Sequence, residues 1–337
     1  MSHDSAEGVL GQPPDSDRTS DVGETPEPHG WKLNLALFVA TVLSVLFAGG
    51  MYDASFRGDL PEDSGALSLL TLLPRGAPFA ASLLAILVTH ELGHYVAARL
   101  HKVDASLPYF IPFPLVSPFG TMGAVIQMRG RIRSRDALLD IGASGPLAGL
   151  VVAIPVLLYG LSLSPVLPVS GSGVQEGQSL LYVLLKWIVL GPIPAGHDVF
   201  LAPVALAGWA GLLVTALNLL PVGQLDGGHV AYALFGPRQN AIARVMHAGL
   251  LLAFGWNVVR FLVPVVVKGA WGSLGQAFGN TTFWLFWFLL LHGMARFAGR
   301  EHPPTEPGQL SPKRRIVAYV TLAFFVLLFM PTPWATY

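Results

Sequence analysis

Residues 77–99 read APFAASLLAILVTHELGHYVAAR. A helix needs about 20 apolar residues to cross the hydrocarbon core of a bilayer, and this run is long enough. Yet it carries His90, Glu91 and His94 within little more than one turn. Each ionisable group inside a membrane helix costs about 2.5–3.5 kcal/mol on insertion scales, so three together need a compensating interaction. The spacing supplies one. Residues four apart share a helix face, so His90 and His94 can hold one zinc ion while Glu91, between them, reaches the water on that metal.

Working outward, the composition agrees with a membrane setting. Hydrophobic residues make up 53% of the 337 residues and charged residues 12%, against roughly 25% charged in soluble domains. Too few charges remain to coat a water-facing surface, so lipid is the natural solvent for the excess. The net charge is +0, and nothing points to nucleic acid. There is no cysteine, so any metal site must be built from His, Asp and Glu. Residues 1–30 are acidic and rich in Pro, Ser and Gly. They read as a disordered tail, because they cannot bury enough apolar surface to offset the entropy of ordering. They also lack the basic start and apolar stretch of a signal peptide.

The rest, 31–337, reads as an all-α polytopic membrane domain of about seven transmembrane helices, at about 33–52, 77–99, 137–160, 199–221, 242–266, 281–298 and 316–333. The stretch 179–194 is apolar but short and closes with Gly191, Pro192 and Pro194. It reads as an interfacial or re-entrant piece. Basic residues set the orientation: Arg99, Lys102, Arg129, Arg131, Arg133 and Arg135 after the second span, and Arg300, Lys313, Arg314 and Arg315 after the sixth. Both loops are expected on the cytoplasmic side. The loop 53–76, with Asp53, Asp59, Glu62 and Asp63 against Arg57 and Arg75, is expected outside. The second and fourth spans then run parallel, and their C-terminal ends meet in the same half of the bilayer.

Between the second and third spans, residues 106–119 read SLPYFIPFPLVSPF. Four prolines forbid a helix there. Apolar non-helical backbone at membrane depth must be buried in protein or line a cavity, so a small re-entrant β-hairpin beside the site is expected. Its second strand would be Gly123 to Met128, with Gly123, Ala124, Val125, Ile126 and Gln127 as the candidate substrate-binding edge.

At the end of the fourth span stands Asn218-Leu-Leu-Pro221-Val-Gly-Gln-Leu-Asp226-Gly227-Gly228. Asp226 is a plausible third metal ligand, since a catalytic zinc takes three protein ligands and keeps one position open. An Asp-Gly turn is the alternative. His229 reads as a membrane-surface residue rather than a further ligand, and His101, His197, His247 and His292 as ordinary residues near span ends. Trp187 and Trp209 read as interfacial or packing residues.

The paired motifs, H-E-x-x-H in one span and N-x-x-P-x-x-x-L-D-G in a later one, resemble the site-2 protease family of intramembrane metalloproteases. The resemblance covers a catalytic core of about 77–235. It implies one zinc per chain on His90, His94 and Asp226, Glu91 as general base, and Asn218 holding the scissile backbone or its developing oxyanion. Gly142-Ala-Ser-Gly145-Pro146-Leu-Ala-Gly149 resembles the family's small-residue motif, and small residues four apart allow close helix approach. Zinc in such a site lowers the pKa of its water to about 7 and polarises the scissile carbonyl. The implied partners are the lipid bilayer and a single-span membrane protein as substrate. The implied place is a multi-pass, bacterial-type inner membrane with the site toward the cytoplasm. The oligomeric state is left open. Many bacterial members carry a PDZ domain between the third and fourth core spans, but the loop at about 161–198 is too short for a domain of 50 residues. A divalent-metal transporter is the rival reading, since intramembrane His and Asp can line an ion path. It has no use for a Glu between two ligating His.

Overall fold

The H-E-x-x-H helix runs unbroken over Ala77–Leu100 and packs mainly against one neighbour, Arg135–Ser162. The computed structural model describes residues 31–61, 70–129, 132–169, 173–297, 305 and 308–337. The acidic tail, and Glu62, Asp63, Arg131 and Arg300, lie outside the described residues. In chain order the helices are α1 Trp31–Arg57, α2 Leu72–Arg75, α3 Ala77–Leu100, α4 Arg135–Ser162, α5 Leu180–Leu190, α6 Pro203–Asn218, α7 Asp226–Phe235, α8 Gln239–Asn257, α9 Val263–Lys268, α10 Leu274–Phe297 and α11 Pro312–Leu328. The protein is mostly helical.

Among the described residues, four helical stretches are long and apolar enough to cross a membrane: Trp31–Arg57, Ala77–Leu100, Arg135–Ser162 and the run Asp226–Lys268. Three further expected spans fall outside that set for separate reasons. Helix α6 has 16 residues, because it starts on Pro203 and ends ahead of Pro221, where proline cannot continue it. Helix α11 has 17, because Pro331 and Pro333 follow it and cannot continue a helix. Helix α10 has the length, but Asn280, Thr281, Thr282 and His292 dilute its apolarity. The expected span at about 242–266 is interrupted by a wide π turn over Val258–Leu262. Pro264 accounts for it: with no N–H it leaves the Arg260 carbonyl without its helical donor.

The strands are short: β1 Tyr109–Pro112, β2 Thr121–Val125, β3 Val166–Pro168, β4 Val174–Glu176, β5 His197–Val199 and β6 Trp334–Thr336. They form three antiparallel pairs, β1–β2, β3–β5 and β4–β6. The first is the expected hairpin, with Tyr109 opposite Val125 and Phe110 opposite Ala124. Its second strand begins and ends earlier than expected, at Thr121 and Val125. Beyond it, Gln127 donates to the Ser106 hydroxyl and Met128 bridges Ala105, so Ile126–Met128 are tied to the same partner without regular ladder geometry. The other two pairs were not expected.

Helix α1 holds the hairpin along its length. The Asn34 amide donates to the Leu107 and Pro108 carbonyls at 3.0 Å each, the Ser44 hydroxyl donates to the Gly120 carbonyl, and the Tyr52 hydroxyl donates to the Pro118 carbonyl at 2.8 Å. Asn34 and Tyr52 are about 27 Å apart at 1.5 Å per helical residue. The hairpin therefore runs beside α1 over almost the thickness of a hydrocarbon core. Four of its carbonyls find their donors on α1, where lipid would offer none.

Candidate metal centre

Helices α3, α4 and α6 pack on one another, and α7 packs on α4. On α3, His90, Glu91 and His94 are buried, while Leu92 and Val96 on the opposite face are exposed. Gly93 lies against α4, where a β-carbon would sit 2.6 Å from the Ser144 carbonyl oxygen. That absence of a side chain lets α4 approach closely enough to wall the site.

Asp226 reaches the site from the first residue of α7, not from the end of the preceding span. Helix α6 ends at Asn218, and a tight turn follows, with Leu219 N–H donating to Thr215, Val222 N–H to Leu220 and Leu225 N–H to Val222. A β-carbon on Gly227 would run into the Leu219 carbonyl, so only glycine lets α7 start against this turn. Asp226 is the first helical residue, with Leu225 in the cap position, and its carboxylate faces the two histidines.

Asp226 Oδ2 stands 3.2 Å from His90 Nε2 and 3.2 Å from His94 Nε2, and the two Nε2 atoms are 3.1 Å apart. Among the described residues these form a group that could hold a metal ion. Four ligands about 2.0–2.1 Å from a tetrahedral zinc stand about 3.3 Å from one another, so the triangle has the edge length of one face of such a site. The tautomer fits as well. His94 Nδ1 is 2.7 Å from the Ile141 carbonyl oxygen, which can only accept, so Nδ1 carries a proton and, when the ring is neutral, the lone pair left for a metal is on Nε2. That lone pair faces a carboxylate oxygen and a second imidazole, an arrangement that a cation between them satisfies.

The small-residue motif of α4 fits around these rings. At Gly145 a β-carbon would overlap the His94 imidazole, and at Gly149 it would come within 3.3 Å of His90. At Gly142 it would meet His229 at 2.8 Å and the Asp226 carbonyl at 3.3 Å. The motif reads in sequence as a surface for close helix approach; what it approaches is the ligand set. His229 stands three residues into α7 with its β-carbon beside Gly142. Asn218 lies beside the triangle, its Nδ2 3.2 Å from His90 Nε2. Glu91 is turned about 100° round α3 from His90 and about 60° from His94. The hairpin packs against α3, and Ile126 and Met128 pack on a cluster that includes Ala97, Ala98 and Ile141.

Missed from sequence was the Ile141 carbonyl, since a backbone acceptor leaves no residue-type signal. His101, read as an ordinary residue near a span end, pairs with Asp140 at 2.8 Å. Asp140 in turn takes Arg314 of α11 at 2.6 Å.

Comparison with known proteins places this geometry in a family. The model of peptidase family M50 matches residues 78–262, and that range holds the triad and its walls. The probable zinc metalloprotease EGY2, chloroplastic, of Oryza sativa subsp. indica is 33% identical over 205 residues, 58% of this chain and 37% of that protein. The probable zinc metalloprotease EGY1, chloroplastic, of Arabidopsis thaliana is 39% identical over 172 residues, 49% of this chain and 30% of that protein. The probable zinc metallopeptidase EGY3, chloroplastic, of the same plant is 28% identical over 273 residues, 74% and 43% of the two chains. The chain thus spans less than half the length of these relatives. No solved structure matches. With a match over more than half of the chain, on the helices that carry the two motifs, the chain belongs to peptidase family M50, the site-2 protease family.

Proposed function

We propose that this protein is a zinc metalloprotease that hydrolyses peptide bonds within or near transmembrane segments of membrane-protein substrates. The observation that carries the reading is the triangle of His90, His94 and Asp226, at 3.1–3.2 Å edges, with Glu91 buried on the same helix. In this reading Glu91 takes the proton of the attacking water and returns it to the leaving amine. Asn218 donates to the substrate carbonyl as charge grows on its oxygen. A helical substrate has its carbonyls already bonded, so it must be unwound, and the unpaired edge of β2 is the surface for an extended backbone. By alternation along the strand, the Gln127 N–H points into the hairpin, which turns the N–H groups of Ala124 and Ile126 to that free edge.

We further propose seven crossings, with α6, α10 and α11 added to the four apolar stretches, and the site in the half of the bilayer on the side of Lys102, Arg129, Arg133 and Arg135. The relatives are named as chloroplastic, so the bacterial-type inner membrane expected from sequence finds no support among them. The proposal keeps the sidedness alone.

The test uses the full chain in lipid vesicles with a single-span membrane protein as reporter. Cleavage that stops with chelator and returns with zinc is the expected result. No cleavage, together with zinc flux across the vesicle, would establish the transporter reading instead.

A further inference from the structure

Helix α5 is inside out. Its Lys186 and Tyr182 point into the protein, where Lys186 Nζ lies 3.3 Å from Glu176 and 3.1 Å from Asp198, and the Tyr182 hydroxyl donates to Glu176 at 2.8 Å. The outer face carries Leu180, Val183, Leu184, Trp187 and Ile188, each 49–64% exposed. Their spacing, i, i+3, i+4, i+7, i+8, is that of an apolar stripe which in a water-soluble protein would face the core. Here the charged side is turned inward and the stripe outward. Water does not favour that arrangement; hydrocarbon does.

The ends of α5 place it at depth. Just before it, the Gly177 carbonyl accepts the indole N–H of Trp209 at 2.9 Å. Trp209 lies six residues inside α6, about 9 Å from its start at Pro203. After α5 the chain passes Gly191 and Pro194 to β5, which pairs with β3 next to the end of α4. The chain therefore enters through β4, turns at Gly177, and returns through an 11-residue helix of about 16 Å, half of what a crossing needs. All of this sits at the end of the bundle where Gly160 of α4 meets Ala205 of α6, opposite to the end where Gly145 meets His94.

We propose that α5 is a re-entrant helix whose stripe Leu180, Val183, Leu184, Trp187 and Ile188 is seated among the acyl chains of the leaflet opposite the metal centre. The buried Glu176–Lys186–Asp198 cluster is what allows this. It takes the one cation of α5 out of the lipid-facing surface and gives it partners. Lipid is the occupant that the spanning helices already require, and α5 packs on one of them, α4.

The chain has no cysteine, so single cysteines can be introduced without removing native ones. Each stripe position, and Tyr182 and Leu185 as inward controls, is spin-labelled in the full chain in vesicles of phosphatidylcholine with phosphatidylglycerol. Collision rates with oxygen, which partitions into lipid, and with a nickel chelate, which stays in water, are then compared. The expected result is high oxygen and low nickel accessibility at the five stripe positions, and low values for both at 182 and 185. High nickel accessibility along the stripe would show that it faces water. Low accessibility to both reagents would show that a second copy or another protein covers it. Either outcome overturns the proposal. Labels on exposed positions leave the packing intact, and the chain's unlabelled thermal transition is the reference that each variant must match.

Discussion

Gly145 of α4 lies directly against the imidazole of His94, with no room for a β-carbon between them. The same helix also holds the ring, through the Ile141 carbonyl one turn earlier at 2.7 Å from Nδ1, so a ring pushed off α4 gives up that bond as well. Gly145→Ala is therefore expected to push Nε2 out of the triangle and to lower zinc affinity roughly 10–100-fold, the range seen when supports of ligating histidines are removed. Gly149→Ala meets His90 at 3.3 Å, where a shift of a few tenths of an ångström suffices, and should lose several-fold less. Zinc content after dialysis against a graded chelator measures both. Equal retention in the Gly145 and Gly149 variants would remove this account of the motif.

Base and ligand separate by metal content. Glu91→Gln keeps the three ligand side chains and is expected to retain zinc while cleavage falls about 10²–10⁴-fold. Asp226→Ala opens the triangle and is expected to lose both. A zinc content in the Asp226 variant equal to the parent's, with cleavage reduced, would leave Asp226 as a helix-opening residue only.

Strand addition is tested at Ile126. Proline there removes an N–H directed to the free edge of the hairpin, whereas proline at Val125 removes one facing Tyr109 within it. Ile126→Pro should reduce cleavage at least tenfold with zinc retained. Val125→Pro should loosen the hairpin itself, read as faster protease nicking within 106–128. Normal cleavage by Ile126→Pro would move substrate binding to the helices.

The cluster under α5 predicts a pH dependence. Burial raises the Asp198 carboxyl, but hydrogen bonds from Gln175, the Val199 N–H and Lys186 outweigh it and hold the group below its ordinary 3.8. A carboxyl depressed in the folded state stabilises at pH above its unfolded value and loses that contribution as pH falls through the folded one. The α5 region should therefore be constant from neutral pH to about 4 and loosen below it, read as rising mobility of a spin label at Leu185. In Asp198→Asn that acid-side change should shrink.

How much of this could be read from the chain depends on how local each signal is. The four-residue spacing of His90 and His94 fixes a shared face, and the cost of burying them in lipid argues for a metal, so the two histidines were legible. Asp226 was legible as a partner because both motifs close helices that end on one side. Its placement on a new helix was not, since that rests on Gly227 meeting the Leu219 carbonyl. The pairing of β4 with β6 joins Gln175 to Ala335, and strands of three residues leave no periodicity to detect. Nothing local to Lys186 marks it as paired; only the fold brings Glu176 and Asp198 to it.

The clasp of Asn34, Ser44 and Tyr52 on the hairpin bears on how the chain is made. A β-hairpin rich in proline has no way to satisfy its carbonyls in lipid by itself. Helix α1 precedes it in the chain, so during synthesis its three hydroxyl and amide donors are already in the bilayer when residues 107–120 emerge. Biogenesis then has a template, and its order matters. A chain started at Ala77 would keep the metal ligands and both catalytic motifs yet would deliver the hairpin into a membrane that offers it no partner.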